Sequence, residues 1–114
     1  MMIDGFKNRT FRALVEYYAK NYSPGQIANQ LCDVMDGMAT PVQTEAAQWT
    51  IDAARAMSED RSFWKRDCVH VLGDIKLAAV SYFERQKVDP PDEVLFDIVQ
   101  AVVLEFAFSP REEK

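Results

Sequence analysis

Residues 91–108 decide the fold, and they read PDEVLFDIVQAVVLEFAF. If this segment is helical, apolar side chains project in almost every direction, and only Asp97 and Gln100 mark a thin polar stripe. The prolines at 90 and 91 cannot continue an earlier helix but fit a first turn, and Asp89 can cap it. A helix that is apolar nearly all round lies at the centre of a bundle or against a second chain. The sequence therefore predicts a buried helix over 91–108.

Two upstream segments share one kind of helix start. Ser23-Pro24-Gly25-Gln26 and Thr40-Pro41-Val42-Gln43 each place a hydroxyl before a proline and a glutamine three residues after the hydroxyl. The hydroxyl can accept hydrogen bonds from free backbone N–H groups, and the glutamine can reach back to the capping residue. These starts predict helices over 24–37 and 41–58. Gly37 is expected to end the first of them in a left-handed conformation, which costs glycine little.

Apolar residues at helical spacing predict two further helices, over 6–22 and 60–87. The second is long for a small domain and contains Gly73, which costs about 1 kcal/mol against alanine in a helix interior. Close packing against another helix, or a bend, would explain this glycine. Residues 109–114 are expected to form a frayed, solvated tail. The chain is thus predicted to be all-α, a compact bundle of about five helices in a single domain over 1–114.

Charge alternates in blocks along the chain. The formal net charge is −5, with +2 over residues 1–22, −5 over 23–60, +3 over 61–87 and −5 over 88–114. Such alternation indicates helices with complementary faces, and the acidic excess disfavours general binding to nucleic acid. With no apolar run long enough to cross a bilayer, we expect no membrane segment and a cytoplasmic protein. Both cysteines, Cys32 and Cys68, are expected to be small buried thiols in a reducing compartment.

Catalytic signatures are weak. The sequence holds no glycine-rich phosphate loop, CxxC pair, HExxH motif or nucleophile elbow. Asp67, His70 and Asp74 fall on one side of a helix and could hold a divalent metal or tune the imidazole as a base. No second helix supplies a matching ligand pair, so a surface histidine flanked by acids is the preferred interpretation. We therefore expect a non-enzymatic protein with no cofactor and no metal.

An acidic surface, together with a last helix that is more apolar than burial of one face requires, predicts a protein-binding function. A small acidic inhibitor, immunity protein or adaptor that binds a basic surface of a partner protein fits this pattern. The expected partner contacts combine carboxylates with apolar residues near the end of the last helix. They are Asp33, Asp36, Asp92, Asp97, Leu104, Phe106 and Phe108. The same last helix could also serve as the shared interface of a homodimer.

The alternative function is a regulator that binds nucleic acid. Its phosphate contacts would come from the first helix or from the start of the fourth. The residues concerned are Lys7, Arg9 and Arg12, then Arg61, Lys65 and Arg66. Trp64 could stack a base, although its spacing to Cys68 favours a place in the core. A helix-turn-helix starting at Ser23 is rejected, because Asp33 and Asp36 would face phosphates.

Overall fold

The computed structural model describes residues 9–108, and six helices hold 81% of them. No strand occurs in this range beyond one isolated bridge between Thr10 and Asp67. The all-α fold is therefore confirmed. The helices are α1 Phe11–Asn21, α2 Pro24–Asp36, α3 Pro41–Met57, α4 Arg61–Lys65, α5 Cys68–Arg85 and α6 Asp92–Phe108. None of these six has the length and apolarity needed to cross a lipid bilayer.

The first predicted helix start forms both expected cap hydrogen bonds, and the second forms one of them. The Gln26 N–H donates to Ser23 Oγ at 3.1 Å, and the Ser23 N–H donates to Gln26 Oε1 at 2.8 Å. At the second start, the Gln43 N–H donates to Thr40 Oγ1 at 3.3 Å. There the glutamine side chain reaches one residue further and accepts from the Ala39 N–H at 2.7 Å. Local side-chain chemistry therefore sets where α2 and α3 begin.

Helix α6 lies at the centre of the bundle and packs against α1, α2, α3 and α5. Its buried residues surround the helix axis, as the apolar sequence requires. They are Leu95, Ile98, Ala101, Val102, Val103, Leu104, Phe106 and Ala107. Of the two explanations for this helix, the structure therefore shows the first, burial within the chain's own core.

The core divides into two clusters along α6. The first, here called the aromatic cluster, contains Phe11, Phe63, Trp64 and Phe106, with aliphatic residues from α1, α2, α3 and α5. The Phe11 ring lies 5.1 Å from Phe63, 5.5 Å from Trp64 and 5.9 Å from Phe106, measured between centroids. The second, here called the alanine cluster, lies around the first half of α6. It contains Ala46, Ala47, Ala79, Phe83, Leu95 and Ile98, with Met35, Met38, Val42 and Val94 packed against it.

The predicted helix over 60–87 is wrong, because the chain leaves helical geometry at Arg66 and Asp67. An extended segment from the start of the described chain pairs with it there. The Phe11 N–H donates to the Arg66 carbonyl at 2.9 Å, and the Cys68 N–H donates to the Arg9 carbonyl at 2.8 Å. For the same reason α1 begins at Phe11, after its cap Thr10, and not at residue 6. Residues 6–8 and the predicted tail 109–114 lie outside the described residues.

The glycine expectations also need correction. Helix α5 runs unbroken through Gly73, and a Cβ built there would meet no atom within 4 Å, so close packing does not explain it. Gly37 has φ −76°, which is right-handed. The left-handed position belongs to Lys87, with φ 58°, after the end of α5. There the Val88 N–H donates to the Phe83 carbonyl at 3.0 Å and the Lys87 N–H to Glu84 at 3.1 Å, a Schellman ending.

The open space at Gly73 predicts that Gly73→Ala stabilises the fold. Alanine removes the entropy cost of an exposed helical glycine, so the free energy of unfolding should rise by about 1 kcal/mol. Urea denaturation of dilute protein, followed by circular dichroism, measures this. The matched control is Ala56→Gly at an exposed position of α3, which should lose a similar amount. A destabilised Gly73→Ala variant would contradict the open geometry.

The two cysteines differ, which corrects the expectation that both are buried. Cys32 is exposed on α2 and Cys68 is buried at the start of α5, and neither forms a disulfide. Burial, together with the neighbouring Asp67 carboxylate, raises the pKa of the Cys68 thiol. Since the thiolate is the reactive form, Cys68 should be protected by both accessibility and protonation.

We therefore expect one thiol per folded chain to react quickly with a maleimide reagent at neutral pH. The Cys32→Ser variant should lose this fast reaction, and the Cys68→Ser variant should keep it. Mass spectrometry before and after denaturation counts the modified thiols. Equal rates for both cysteines in folded protein would show that α5 opens readily at its start.

Candidate functional site

Eight of the fifteen acidic residues in 9–108 lie on segments around the alanine cluster. Four segments meet there: the last turn of α2, the first half of α3, the last turns of α5 and the first half of α6. We call this region, with the loop before α6, the acidic end. Its acidic residues are Asp33, Asp36, Glu45, Glu84, Asp89, Asp92, Glu93 and Asp97, against the two basic residues Arg85 and Lys87. The excess of negative charge in residues 9–108 is thus concentrated at one end of the molecule.

Phe96 stands out at this end because its side chain is 74% exposed. It lies on α6, where residues three and four positions apart are neighbours on the helix surface. Asp92 and Glu93 therefore flank it over the preceding turn, and Gln100 flanks it over the next. Full burial of a phenylalanine side chain stabilises a fold by about 2 to 3 kcal/mol, and the isolated chain does not gain most of this stabilisation from Phe96. An aromatic ring bordered by carboxylates is the arrangement expected of a contact with a basic, partly apolar surface.

The predicted contacts Asp33 and Asp36 are both exposed in the last turn of α2. That helix contains no lysine or arginine, so nothing on it neutralises them. The C-terminal end of a helix carries partial negative charge, which makes a carboxylate there unfavourable by about 0.3 to 1 kcal/mol. These two residues therefore do not serve the stability of their own helix, and their position suits an interaction outside it.

The predicted contacts on α6 separate into three groups. Asp92 is exposed and Asp97 half-buried at the acidic end, where Asp92 also suits the positive start of the helix. Leu104 is fully buried and Phe106 is 7% exposed in the aromatic cluster, so neither presents a surface to a partner. Phe108 is 43% exposed, but it lies twelve positions beyond Phe96, about 18 Å along the helix. The seven predicted residues therefore do not form one site.

Phe96 was not predicted as a contact, because the apolar pattern of residues 91–108 predicts burial of the helix as a whole. The available signal was its polar neighbours at helical spacing, Asp92, Glu93 and Gln100. Asp97, which was expected to mark the polar stripe, is half-buried instead. The exposed face is the side of α6 that its four neighbouring helices leave uncovered, and that depends on tertiary packing.

A polar network holds α3 against α5 beside the acidic end. The Tyr82 hydroxyl donates to Glu45 Oε1 at 3.2 Å, and its ring lies 5.6 Å from that of Trp49. Partial desolvation and the adjacent Glu45 carboxylate raise the pKa of Tyr82. The Arg85 guanidinium lies 5.8 Å from the centre of a Trp49 ring. One of the two basic residues at this end is therefore already engaged by an aromatic face.

The basic residues proposed for nucleic acid meet at the opposite end. The bridge between Thr10 and Asp67 brings Arg9 and the start of α1 beside the segment that includes Lys65 and Arg66. Arg9, Arg61, Lys65 and Arg66 are exposed and Arg12 is half-buried, while Lys7 lies outside the described residues. We call these five described residues the basic cluster.

Acidic groups and the core weaken this cluster as a nucleic-acid site. Arg66 forms an ion pair with Asp74 at 2.8 Å, and Asp60 and Asp67 flank the basic run 61–66 in sequence. The Asp60 carboxylate caps α4 by accepting from the Ser62 N–H and hydroxyl, both at 2.9 Å, which lowers its pKa. Trp64 is buried and donates from Nε1 to the Ser58 carbonyl at 3.1 Å. Its predicted place in the core is confirmed, so it presents no face to a base.

The possible metal ligands Asp67, His70 and Asp74 do not gather. Between Arg9 and Phe108, no group of three His, Cys, Asp or Glu side chains is arranged to hold a metal ion. Asp74 is instead paired with Arg66. His70 is exposed on α5, as a surface histidine would be.

Comparison with protein-family models, with curated proteins and with solved structures finds no match for this chain.

Proposed function

We propose that the protein is a non-enzymatic interaction module whose acidic end binds a basic surface of another protein. The observation that carries the proposal is Phe96, a largely exposed aromatic side chain bordered by Asp92 and Glu93. Aromatic anchors that fill a pocket dominate the binding energy of many interfaces, and surrounding charges set orientation and partner choice. A small inhibitor, an immunity protein or an adaptor would all work in this way.

The distribution of charge supports the same function. Seven of the eight carboxylates at the acidic end are exposed and Asp97 is half-buried, while the remainder of residues 9–108 has nearly balanced charge. A one-signed patch of this kind attracts a basic partner over about 10 Å in moderate salt and speeds encounter. Asp33 and Asp36 at the end of α2 oppose their own helix dipole, which is consistent with a role in recognition.

The experiment begins by capturing partners from a native lysate of the source organism on the immobilised protein, with quantitative mass spectrometry. A specific partner should be retained by the unaltered protein and by Tyr17→Ala, a matched loss of an exposed aromatic on α1. It should be lost or strongly reduced with Phe96→Ala. Direct titration of the purified partner should then show a loss of about 2 kcal/mol for Phe96→Ala, roughly 30-fold in Kd.

Charge reversal provides the second half of the test. Asp33→Lys and Asp92→Lys should slow association and flatten its dependence on salt, with smaller effects on dissociation. A purified partner that binds Phe96→Ala and both charge variants as tightly as the unaltered protein would overturn the assignment to the acidic end.

Nucleic-acid binding is the second candidate, because the bridge between Thr10 and Asp67 unites two basic segments that are distant in sequence. The interspersed carboxylates lead us to expect no shift of duplex DNA or RNA in a gel assay at low salt. If a shift is seen, Arg9→Glu and Lys65→Glu should each abolish it, and Phe96→Ala should leave it unchanged. A shift with this pattern would replace the protein-binding proposal by the nucleic-acid one.

A further inference from the structure

The exposed ring of Phe96 lies beside two carboxylates of its own helix. Aromatic side chains in a helix point back toward its start, so the surface that Phe96 covers lies over the preceding turn. That turn carries Asp92 and Glu93, four and three residues before Phe96, and both are exposed. Because Phe96 is itself 74% exposed, a planar apolar face and two negative charges share one small, open area of α6.

The two carboxylates have no cation of their own. No ion pair within residues 9–108 involves Asp92 or Glu93. Both suit the positive start of α6, but that start corresponds to only about half a unit charge, so the two negative charges exceed it. A purely apolar partner that covered Phe96 would also remove water from the carboxylates without replacing its hydrogen bonds, which opposes binding. The area therefore favours a ligand that is both flat and positively charged.

An arginine side chain satisfies both parts of this area at once. Its planar guanidinium can stack on an aromatic ring while the N–H groups at its edge donate to carboxylates. The ammonium group of lysine is compact and strongly hydrated and cannot stack flat on a ring, so it gains less from the same surface. The fold already contains one contact of this kind, since the Arg85 guanidinium lies 5.8 Å from the centre of a Trp49 ring.

We propose that Phe96, Asp92 and Glu93 bind an arginine side chain on the basic surface of the partner. The guanidinium stacks on the Phe96 ring and donates charge-assisted hydrogen bonds to the carboxylates. This inference rests on the proposed function and makes it more specific, because the partner must present an accessible arginine and a lysine in its place binds more weakly. The more distant carboxylates Asp33 and Asp36 speed encounter without distinguishing the two cations.

Two short peptides of equal charge test the choice of arginine. Both are blocked at their ends and consist of glycine and serine, with either arginine or lysine at the same positions. NMR titration of the isotope-labelled full chain at low salt follows the backbone amide signals of residues 92–100. The arginine peptide should shift these signals with a Kd at least about threefold lower than that of the lysine peptide, as expected for an exposed cation–π contact.

Substitutions separate the ring from the charges. Phe96→Leu keeps an apolar side chain but removes the aromatic face, so the two peptides should then bind with equal affinity. Phe96→Tyr keeps the face and should keep the preference. Glu93→Gln should weaken the binding of both peptides, because it removes a charge that attracts either cation. Tyr17→Leu, the matched loss of an exposed aromatic on α1, should change neither affinity. Circular dichroism of each variant checks that it is folded.

Equal affinity of the unaltered protein for the two peptides would overturn the arginine site. So would an arginine preference that survives Phe96→Leu, or the absence of any shift of these amide signals with either peptide.

The outcome for the arginine site is distinguishable from the outcome for the proposed function. A captured partner whose binding requires Phe96, together with equal peptide affinities, would support the interaction module and overturn only the arginine site. An arginine preference that depends on Phe96, without any specific partner in the lysate, would support the arginine site and count against the proposed function.

Discussion

The burial of Phe11 against Phe63, Trp64 and Phe106 joins three helices that are distant in sequence. Without this contact the five-residue helix α4 would not form stably, because a helix of that length is not stable in water by itself. Asp60 caps it and Trp64 ties it to the Ser58 carbonyl, but most of its stability must come from its two buried rings. Helix α1 depends on the same contact, since Phe11 is its first residue and is fully buried. The backbone pairing of residues 9–11 with residues 66–68 then follows from where these rings dock.

This arrangement explains why the two ends of the molecule differ. The aromatic cluster brings together α1, α4 and the last turns of α6, and with them most of the basic residues. The alanine cluster brings together the ends of α2 and α5 with the starts of α3 and α6, where carboxylates are concentrated. Charge blocks that alternate along the chain are thereby sorted into a nearly balanced end and an acidic end. The proposed partner binding depends on this sorting.

Features set by local chemistry were predictable from the sequence. The starts of α2 and α3 follow from Ser23 and Thr40, and the burial of α6 follows from its apolar composition. Features set by distant contacts were not. The apolar period continues across Arg66 and Asp67, so nothing in the local sequence marks the break between α4 and α5. At that break the backbone of residues 66 and 68 forms hydrogen bonds with the backbone of residues 11 and 9. Likewise Leu104 and Phe106 could be assigned to a partner or to the core only once the neighbours of α6 were known. Phe96 is exposed for the same reason: the bundle leaves its side of the first half of α6 uncovered.

The docking of Phe11 against Phe106 also constrains how the chain reaches its folded state. The two residues are separated by 95 positions, so the first helix cannot complete its packing until the last one has been synthesised. At ribosomal rates of about 5 to 20 residues per second, α1 waits on the order of 5 to 20 s before the part of its apolar face that contacts α6 can be covered. Loops of this length close late and slow the overall reaction relative to bundles built from adjacent helices. During translation the nascent chain would therefore expose Phe11, Leu14 and Val15 as a natural binding segment for chaperones.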